Sequence, residues 1–246
     1  AAEEGLVNLV VAPHEYFELA LTDPAQRAAG AAASIPVCTE QPGTPWFEIQ
    51  LPHLARSPLV LDISPLGVRE LRRRGIDAHR LALGYHGSFD RWHGDESQER
   101  PIDVVFLGSL TPRREAVLAS LGPALQSLRC RFVCFEANRP ARAGDPGFLT
   151  GAAKHELLAS AKVLLNVHRN DVPYFESVRA LEAVANGAVL VTEPSLDLAP
   201  LRVVDHVVAA PLDTLAATVR ALVADPDWLG EVRRGAYAHM RDGHRL

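Results

Sequence analysis

Two glutamates and an arginine recur at intervals of three residues in the segment 174–186. Glu176, Arg179 and Glu182 would lie along one stripe of a helix, because side chains three apart share a helix face. An ionised carboxylate only accepts hydrogen bonds, so a ligand at this stripe would have to donate them. A ladder of ion pairs without a ligand is the alternative interpretation of the same spacing.

A second group of polar residues follows the apolar run "DVVFLG" that ends at residue 108. Gly108 and Ser109 let a ligand approach the backbone, and Arg113 and Arg114 follow in the first turn of a helix. Guanidinium groups and helix N-terminal N–H groups are common ligands of phosphates. The pattern is therefore compatible with an anion site, and solvated helix arginines are the alternative.

Histidines supply the remaining candidates. His168, Arg169 and Asn170 stand at the end of another apolar run and are expected to face the same ligand. A hydrogen-bonded loop histidine is the alternative for His168. His14 and Glu15 follow the first apolar run and are candidates for acceptor binding or proton transfer. The alternative interpretation is that His14 has a purely structural role.

Several common chemistries lack their motifs. There is no G-x-G-x-x-G, and neither Lys154 nor Lys162 follows a glycine as a Walker loop requires. "HELLA" has Ala159 where a zinc protease needs its second histidine, and no G-x-S-x-G elbow occurs. These absences count against dehydrogenases, ATPases, zinc proteases and hydrolases, and neither a metal site nor a cofactor is expected.

The elements that must position these residues alternate along the chain. Apolar runs without polar alternation predict strands buried on both faces, as in parallel sheets. The predicted strands are 6–12, 59–63, 80–85, 103–108, 131–136, 162–168, 188–192 and 206–210. The fold class is therefore α/β with mostly parallel sheets.

Two helices share the same start and stop signals. Ser64 and Thr111 each precede a proline, so a capping hydroxyl stands before a residue suited to the first helical position. Gly75 and Gly122 predict where these helices end.

The helix that carries Glu182 is predicted to run from Tyr174 to Asn186, with Gly187 as a left-handed stop. Its apolar spacing predicts one face against the sheet. The residues of that face are Val178, Leu181 and Ala185.

The polar segment 87–101 shows no periodicity and predicts a connection between two domains. We assign an N-terminal domain to 1–92, a linker to 93–101 and a C-terminal domain to 102–246. The N-terminal domain is short or truncated. Since Met240 is the only methionine, residue 1 is not expected to be the native start.

The composition is that of a globular protein, with 246 residues, 48% hydrophobic residues and a formal charge of −5. The acidity counts against nucleic-acid binding, and no apolar run reaches the ~20 residues of a membrane span. Without a signal peptide or a disulfide framework, a cytoplasmic location is expected. Residues 72–74 are all arginine. They could contact anionic lipid at a membrane surface, and a solvated helix end is the alternative interpretation.

The stretch 164–193 resembles the donor-binding half of bacterial group-1 glycosyltransferases of the GT-B fold. It contains the strand "LLNVH", the loop "RNDVPYF", a helix with "EAVANG" and the strand "AVLVTE". "VVFLGSLTPRREAVL" resembles the first strand and turn of the same domain. The likeness covers roughly residues 100–225, and it implies two Rossmann-like domains that face each other across a cleft.

The resemblance also implies roles for particular residues. Glu182 would bind the ribose hydroxyls of a nucleotide sugar, because a carboxylate can accept hydrogen bonds from a vicinal diol. The diphosphate would accept bonds from Arg113 or Arg114, and Tyr174 stands where the family has a second glutamate. Glu176 and His14 are the candidate catalytic residues. The candidate donor-binding residues are Gly108, Ser109, Arg113, Arg114, His168, Arg169, Asn170, Tyr174 and Glu182.

The expected activity is a metal-independent sugar transfer from a nucleoside diphosphate sugar, held by the C-terminal domain, to an unknown acceptor held by the N-terminal one. The resemblance implies retention at the anomeric carbon. A nucleotide-sugar epimerase of the same architecture is an alternative, and it would alter the donor without an acceptor. A non-catalytic GT-B-like binding protein is another. The base, sugar, acceptor and oligomeric state are not determined by the sequence.

Overall fold

The computed structural model describes residues 7–136 and 144–246. The chain forms two compact units, Ala1–Ala82 and Leu83–Leu246. Each unit contains one parallel sheet, so the predicted α/β class with two parallel sheets is confirmed. The roles assigned to the two domains, and the linker at 93–101, stay predictions.

The first unit has a four-stranded sheet in the order β1-β2-β3-β4. Its elements are β1 (Asn8–Val11), α1 (Pro13–Glu15) with a π-helical turn (Tyr16–Ala20), α2 (Pro24–Ala32), β2 (Ser34–Cys38), α3 (Pro45–Leu54), β3 (Val60–Asp62), α4 (Pro65–Arg73) and β4 (Ala78–Arg80). The core of the unit lies where α3 and α4 cover the sheet, around Phe47 and Leu71, both fully buried.

Two strand predictions for this unit were wrong. Strand β2 was missed because Pro36 interrupts it, and proline is rare in central strands since it donates no ladder hydrogen bond. The strand predicted at 80–85 lies instead at Ala78–Arg80. The strand predicted from residue 6 is present at Asn8–Val11, and residue 6 itself lies outside the described residues.

The second unit has a five-stranded parallel sheet in the order β6-β5-β7-β8-β9. Its elements are a 3₁₀ turn (Gly87–Phe89), β5 (Ile102–Leu110), α5 (Pro112–Leu125), β6 (Cys130–Glu136), α6 (Gly151–Ala159), β7 (Ala161–Asn166), α7 (Ser177–Ala185), β8 (Val189–Thr192), β9 (Val208–Ala209), α8 (Leu212–Ala224) and α9 (Pro226–Gly243). Strand order reverses between β5 and β7, the place where parallel sheets bind ligands at their carboxyl ends. None of the helices in the described ranges is long and apolar enough to span a membrane.

Both faces of this sheet are covered, as its uninterrupted apolar runs predict. Val104 and Phe106 of β5 point into a core shared with α5 and α8. Val105 and Leu107 point into a second core shared with α6 and α7. Because β5 is central and buried on both sides, its carboxyl end is a rigid base for a site.

Helix starts follow one pattern in both units. Ser64 and Thr111 cap α4 and α5 through their side chains, as predicted. Asp23, Thr44 and Asp225 do the same for α2, α3 and α9, each before a proline. The predicted stop at Gly122 was wrong, because α5 continues to Leu125.

Helix α7 begins later than predicted. Tyr174 does not open it, because its backbone pairs with Leu196 and the helix starts at Ser177. The predicted end is confirmed, with Gly187 at φ 69°. Val178 was wrongly placed on the packed face, since it is 45% exposed.

Residues 83–101 are anchored to the second unit by Asp90, which is 1% exposed. One carboxylate oxygen of Asp90 accepts 2.6 Å hydrogen bonds from the hydroxyls of Tyr85 and Tyr237. The other accepts from the backbone N–H groups of Trp92 and His93. Burial raises the pKa of Asp90, but these bonds outweigh it and hold the pKa below its ordinary value.

Replacing Asp90 by asparagine is expected to lower the free energy of unfolding by about 2 kcal/mol, because hydrogen bonds to a charged group are lost. A carboxylate with a lowered pKa stabilises the fold above its ordinary pKa of about 3.9, and the contribution disappears as the pH falls through the folded-state pKa. Urea unfolding at several pH values should show wild type and Asp90→Asn converging below about pH 4. Asp205→Asn, in a surface pair with Arg202, is the control; an equal loss there would contradict the prediction.

Candidate functional site

Arg114 is the centre of the polar network at the carboxyl edge of the second sheet. Its guanidinium is 2% exposed and donates to Val167 O at 2.9 Å and Ser109 O at 3.1 Å. It also donates to Glu176 Oε1 at 2.7 Å. Burial and, to a smaller extent, the nearby charges of Arg169 and Arg113 lower the pKa of Arg114 to about 10. Arg114 thus ties the ends of β5 and β7 to the start of α7.

Glu176 lies between two guanidinium groups. It pairs with Arg114 and with Arg179, and Arg179 also donates to Asn166 Oδ1 at 2.6 Å. This arrangement is the ion-pairing alternative foreseen for Glu176, and its catalytic role stays a prediction. The two arginines crowd Gly108, where an added Cβ would lie 3.1 Å from Arg114 Nη1 and 3.2 Å from Arg179 Nη2.

Arg113 is engaged as fully as Arg114. Its two terminal nitrogens donate to the two oxygens of Glu193 at 2.9 and 2.5 Å. It further donates to His168 O and to Asp171. Burial raises the pKa of Glu193, but the bonds from Arg113 and from the His168 N–H more than offset it, so that its pKa lies below the ordinary value.

His168 is buried behind this pair. Its backbone N–H donates to Glu193 Oε1, and its ring Nε2 lies 2.8 Å from Ser195 Oγ. Ser195 Oγ in turn lies 3.1 Å from the carbonyl oxygen of Glu193. Burial is the main reason that the pKa of His168 is lowered, so the imidazole is neutral at pH 7.

The predicted residues after β7 form one turn. Asn170 closes it by accepting from the Val172 N–H at 3.1 Å, and the Arg169 carbonyl accepts from Thr111 Oγ1 at 2.9 Å. Arg169 itself is half-buried. Tyr174 follows and is 5% exposed.

Glu182 is 9% exposed and faces helix α6. Lys154 Nζ lies 2.5 Å from its Oε2, and His155 Nε2 lies 3.3 Å from its Oε1. Glu182 therefore pairs with residues of α6 and does not take part in the ion-pair ladder with Arg179 that the spacing suggested. A carboxylate offers about four lone-pair positions, so acceptor capacity remains for a ligand.

A cavity of about 210 Å³ opens at the carboxyl ends of β5 and β6. Two cations, Lys154 and Arg179, line it beside the aromatic side chains of Phe135 and Phe148, whose rings meet edge to face at 5.1 Å. The rest of the lining is Leu107, Gly108, Val133, Gly147 and Leu149. Apolar walls with two cations suit a flat heterocycle that carries phosphate.

His14 belongs to the first unit and follows β1. It is 4% exposed, and its Nε2 lies 3.7 Å from Glu40 and 3.9 Å from Glu15. Burial lowers the pKa of His14 despite these carboxylates, so a neutral imidazole is present at pH 7.

Four residues of the site escaped sequence analysis as ligand or positioning groups. Asn166 and Glu193 stand at or just after the ends of strands β7 and β8, which is the signal that could have identified them. Lys154 and Arg179 lie on helices, where nothing in their spacing indicates the cavity. Within residues 7–136 and 144–246, no group of three histidine, cysteine or acidic side chains could hold a metal ion.

Several solved structures share this fold. HepE from Anabaena, solved with UDP, is 13% identical, with a TM-score of 0.60 over 97% of this chain and 75% of that one. TarM is 8% identical, with a TM-score of 0.61 over 96% of this chain and 51% of its own. Pneumococcal GtfA, solved with UDP and GlcNAc, is 9% identical, with a TM-score of 0.54 over 89% of this chain and 51% of that one. The chain thus spans about half the length of TarM and GtfA.

Family membership is shown by the sequence of the second unit. No curated protein matches the chain. A family model described as "Glycosyl transferase-like" matches residues 113–246, which is more than half of the chain and begins at Arg113. The fold expected from the resemblance, that of the GT-B glycosyltransferases, is confirmed by the solved structures. The chain belongs to the glycosyl transferase-like family.

Proposed function

We propose that this protein transfers a sugar from a nucleoside diphosphate sugar, bound at the carboxyl edge of the second sheet, to a hydroxyl-bearing acceptor. The observation that carries the proposal is the cavity beside Glu182, where an apolar wall, a carboxylate and two cations converge at the carboxyl ends of β5 and β6. The reversal of strand order lies on the other side of β5, between β5 and β7. HepE and GtfA were each solved in complex with UDP, which makes UDP the first ligand to test.

Each part of a nucleoside diphosphate has a complement here. The aromatic pair Phe135 and Phe148 offers apolar surface to a base. Glu182 can accept hydrogen bonds from the ribose hydroxyls, since Lys154 and His155 occupy only part of its acceptor capacity. The diphosphate then lies against the turns after β5 and β7, where the guanidinium groups collect.

Charge on the leaving diphosphate is proposed to be stabilised by these guanidinium groups instead of a metal. Preorganised donors in a protected site contribute several kcal/mol to such a step because they need no reorganisation. Glu176 supports this by holding Arg114 and Arg179 in place. Retention at the anomeric carbon is proposed from the family likeness, and stereochemical analysis of the product would test it.

The acceptor is proposed to bind through the first unit. His14 is buried, neutral at pH 7 and close to two carboxylates. A neutral imidazole can accept a proton or a hydrogen bond from a hydroxyl. We therefore retain His14 as the candidate for acceptor binding or proton transfer.

A nucleotide panel tests the donor assignment. UDP, GDP, ADP, uridine and inorganic phosphate are each added in a thermal unfolding assay. A ligand that binds only the native state at about 100 times its Kd stabilises by about 2.7 kcal/mol, so at least one diphosphate should raise the Tm by roughly 5 °C. If no nucleotide raises the Tm, the protein is a non-catalytic member of its fold class and the proposal is wrong.

A further inference from the structure

We propose that Arg169 is the arginine that binds the diphosphate, and that Arg113 and Glu193 are positioning residues that fix the turn carrying it. This inference rests on the proposed function, because it assigns a ligand to the same site. It differs from the sequence-based expectation, which gave the diphosphate to Arg113 or Arg114.

Four of the five N–H groups of Arg113 are used within the protein, and the one left on Nη2 is too few for a two-pronged contact with a ligand. Its Nη1 and Nη2 atoms form a two-pronged pair with Glu193, and its Nε donates to Asp171 Oδ1 at 3.0 Å. Two-pronged arginine–carboxylate pairs are strong and geometrically fixed. Because Glu193 is only 6% exposed in its side chain, replacing this partner by phosphate would leave a carboxylate buried without its cation, which is costly.

The bonds of Arg113 and Glu193 converge on the backbone next to Arg169. Arg113 Nη1 donates to the His168 carbonyl at 3.1 Å, and the His168 N–H donates to Glu193 at 2.8 Å. On the other side, Thr111 Oγ1 donates to the Arg169 carbonyl at 2.9 Å. Both peptide groups that flank Arg169 are thus held, so the turn fixes the point from which its side chain leaves the backbone.

Arg114 and Arg179 are also committed. They share the carboxylate of Glu176, and Arg114 spends its other donors on Val167 and Ser109. Their buried charges favour an anion nearby, but their guanidinium groups serve to connect β5, β7 and α7. Arg179 also lines the cavity beside Lys154. A two-pronged contact with the diphosphate, however, needs a guanidinium that is not already paired with a carboxylate.

Arg169 meets that need. Across the described ranges 7–136 and 144–246, its guanidinium has no carboxylate partner, and the residue is half-buried at the end of β7. The end of β7 and the end of β5 form the crevice where strand order reverses. An unpaired, delocalised cation on a fixed turn at this crevice is suited to a two-pronged contact with a diphosphate.

The test compares UDP with uridine, because the two ligands differ only in the diphosphate. Calorimetric titrations are made with wild type, Arg169→Met, Arg169→Lys and Arg220→Met, the last being an exposed arginine on α8. Arg169→Met should weaken UDP about 10- to 100-fold, the range for a hydrogen bond to a charged group, and leave uridine unchanged. Arg169→Lys should restore part of the affinity as a point charge, and Arg220→Met should match wild type.

The positioning role is tested by a double-mutant cycle with Arg113→Met. If Arg113 acts through Arg169, its replacement weakens UDP in wild type and has no further effect in Arg169→Met. Equal weakening in both backgrounds would show that Arg113 contacts the phosphates itself and would overturn the inference. Should Arg113→Met not fold, Asp171→Asn, which removes the partner of Arg113 Nε, takes its place in the cycle.

Failure of the inference and failure of the proposed function give different results. If UDP binds wild type and Arg169→Met binds it equally well, the proposed function stands and the inference is wrong. If neither UDP nor uridine binds wild type, the assignment of a uridine nucleotide to the site is wrong, and the inference falls with it.

Discussion

Glu182→Ala is expected to weaken the binding of UDP by about 10- to 100-fold. The carboxylate is held at the edge of the cavity by Lys154 and His155, and it would accept hydrogen bonds from the two ribose hydroxyls. Hydrogen bonds to a charged group contribute about 1.5–3 kcal/mol, which gives this range of affinity. Calorimetric titration with UDP measures the effect directly.

The control for this prediction is Glu156→Ala, which removes an exposed glutamate of the neighbouring helix α6. It should leave UDP affinity unchanged. Glu182→Gln, which keeps the shape but removes the charge, should have a smaller effect than alanine because an amide oxygen still accepts a hydrogen bond. An unchanged affinity in Glu182→Ala would contradict the ribose assignment, whatever the result for the control.

Arg114→Met is expected to lower the free energy of unfolding of the second unit by about 3–5 kcal/mol, as for other buried ion pairs that lose one partner. Arg114 is buried, and its removal takes away the guanidinium bonds to the carbonyl groups of Val167 and Ser109. Glu176 would lose its pair with Arg114 and keep the pair with Arg179. Few single substitutions in this unit break as many bonds between different elements.

Urea unfolding can report this unit alone. The chain has three tryptophans, and Trp46 lies in the first unit, whereas Trp92 and Trp228 lie in the second. In a Trp46→Phe background, the fluorescence change therefore follows the second unit. Arg234→Met, in a long surface pair with Glu96, should cost less than about 1 kcal/mol. A loss below 1 kcal/mol in Arg114→Met would contradict the network described here.

The sequence predicted the fold class because parallel strands buried on both faces leave an unambiguous apolar signature. Seven of the runs it identified coincide with strands of the structure. Strand β2 escaped because Pro36 obscures it, and the start of α7 was misplaced because Tyr174 pairs with Leu196 instead of entering the helix. In both cases tertiary pairing overrides a local signal, and a single sequence does not contain that pairing.

The site could be predicted in its location but not in its internal bonding. The carboxyl ends of β5 and β7 must meet in a parallel sheet, so the proximity of Arg114 to the start of α7 follows from topology. The topology does not predict which arginine is paired with which carboxylate. Arg113 meets Glu193 across 80 residues of chain, and only the folded structure reveals this pair, on which the inference about Arg169 is based.

The central claim is that a nucleoside diphosphate binds at the carboxyl edge of the second sheet, and hydrogen exchange with and without UDP tests it most directly. The account predicts slower exchange at the carboxyl end of β5, in the first turn of α6, in the turn 168–171 and in α7, with residues 7–82 unchanged. These segments carry Gly108, Lys154, Arg169 and Glu182. Saturating UDP that leaves all four segments unprotected, or protects only residues 7–82, would contradict the claim.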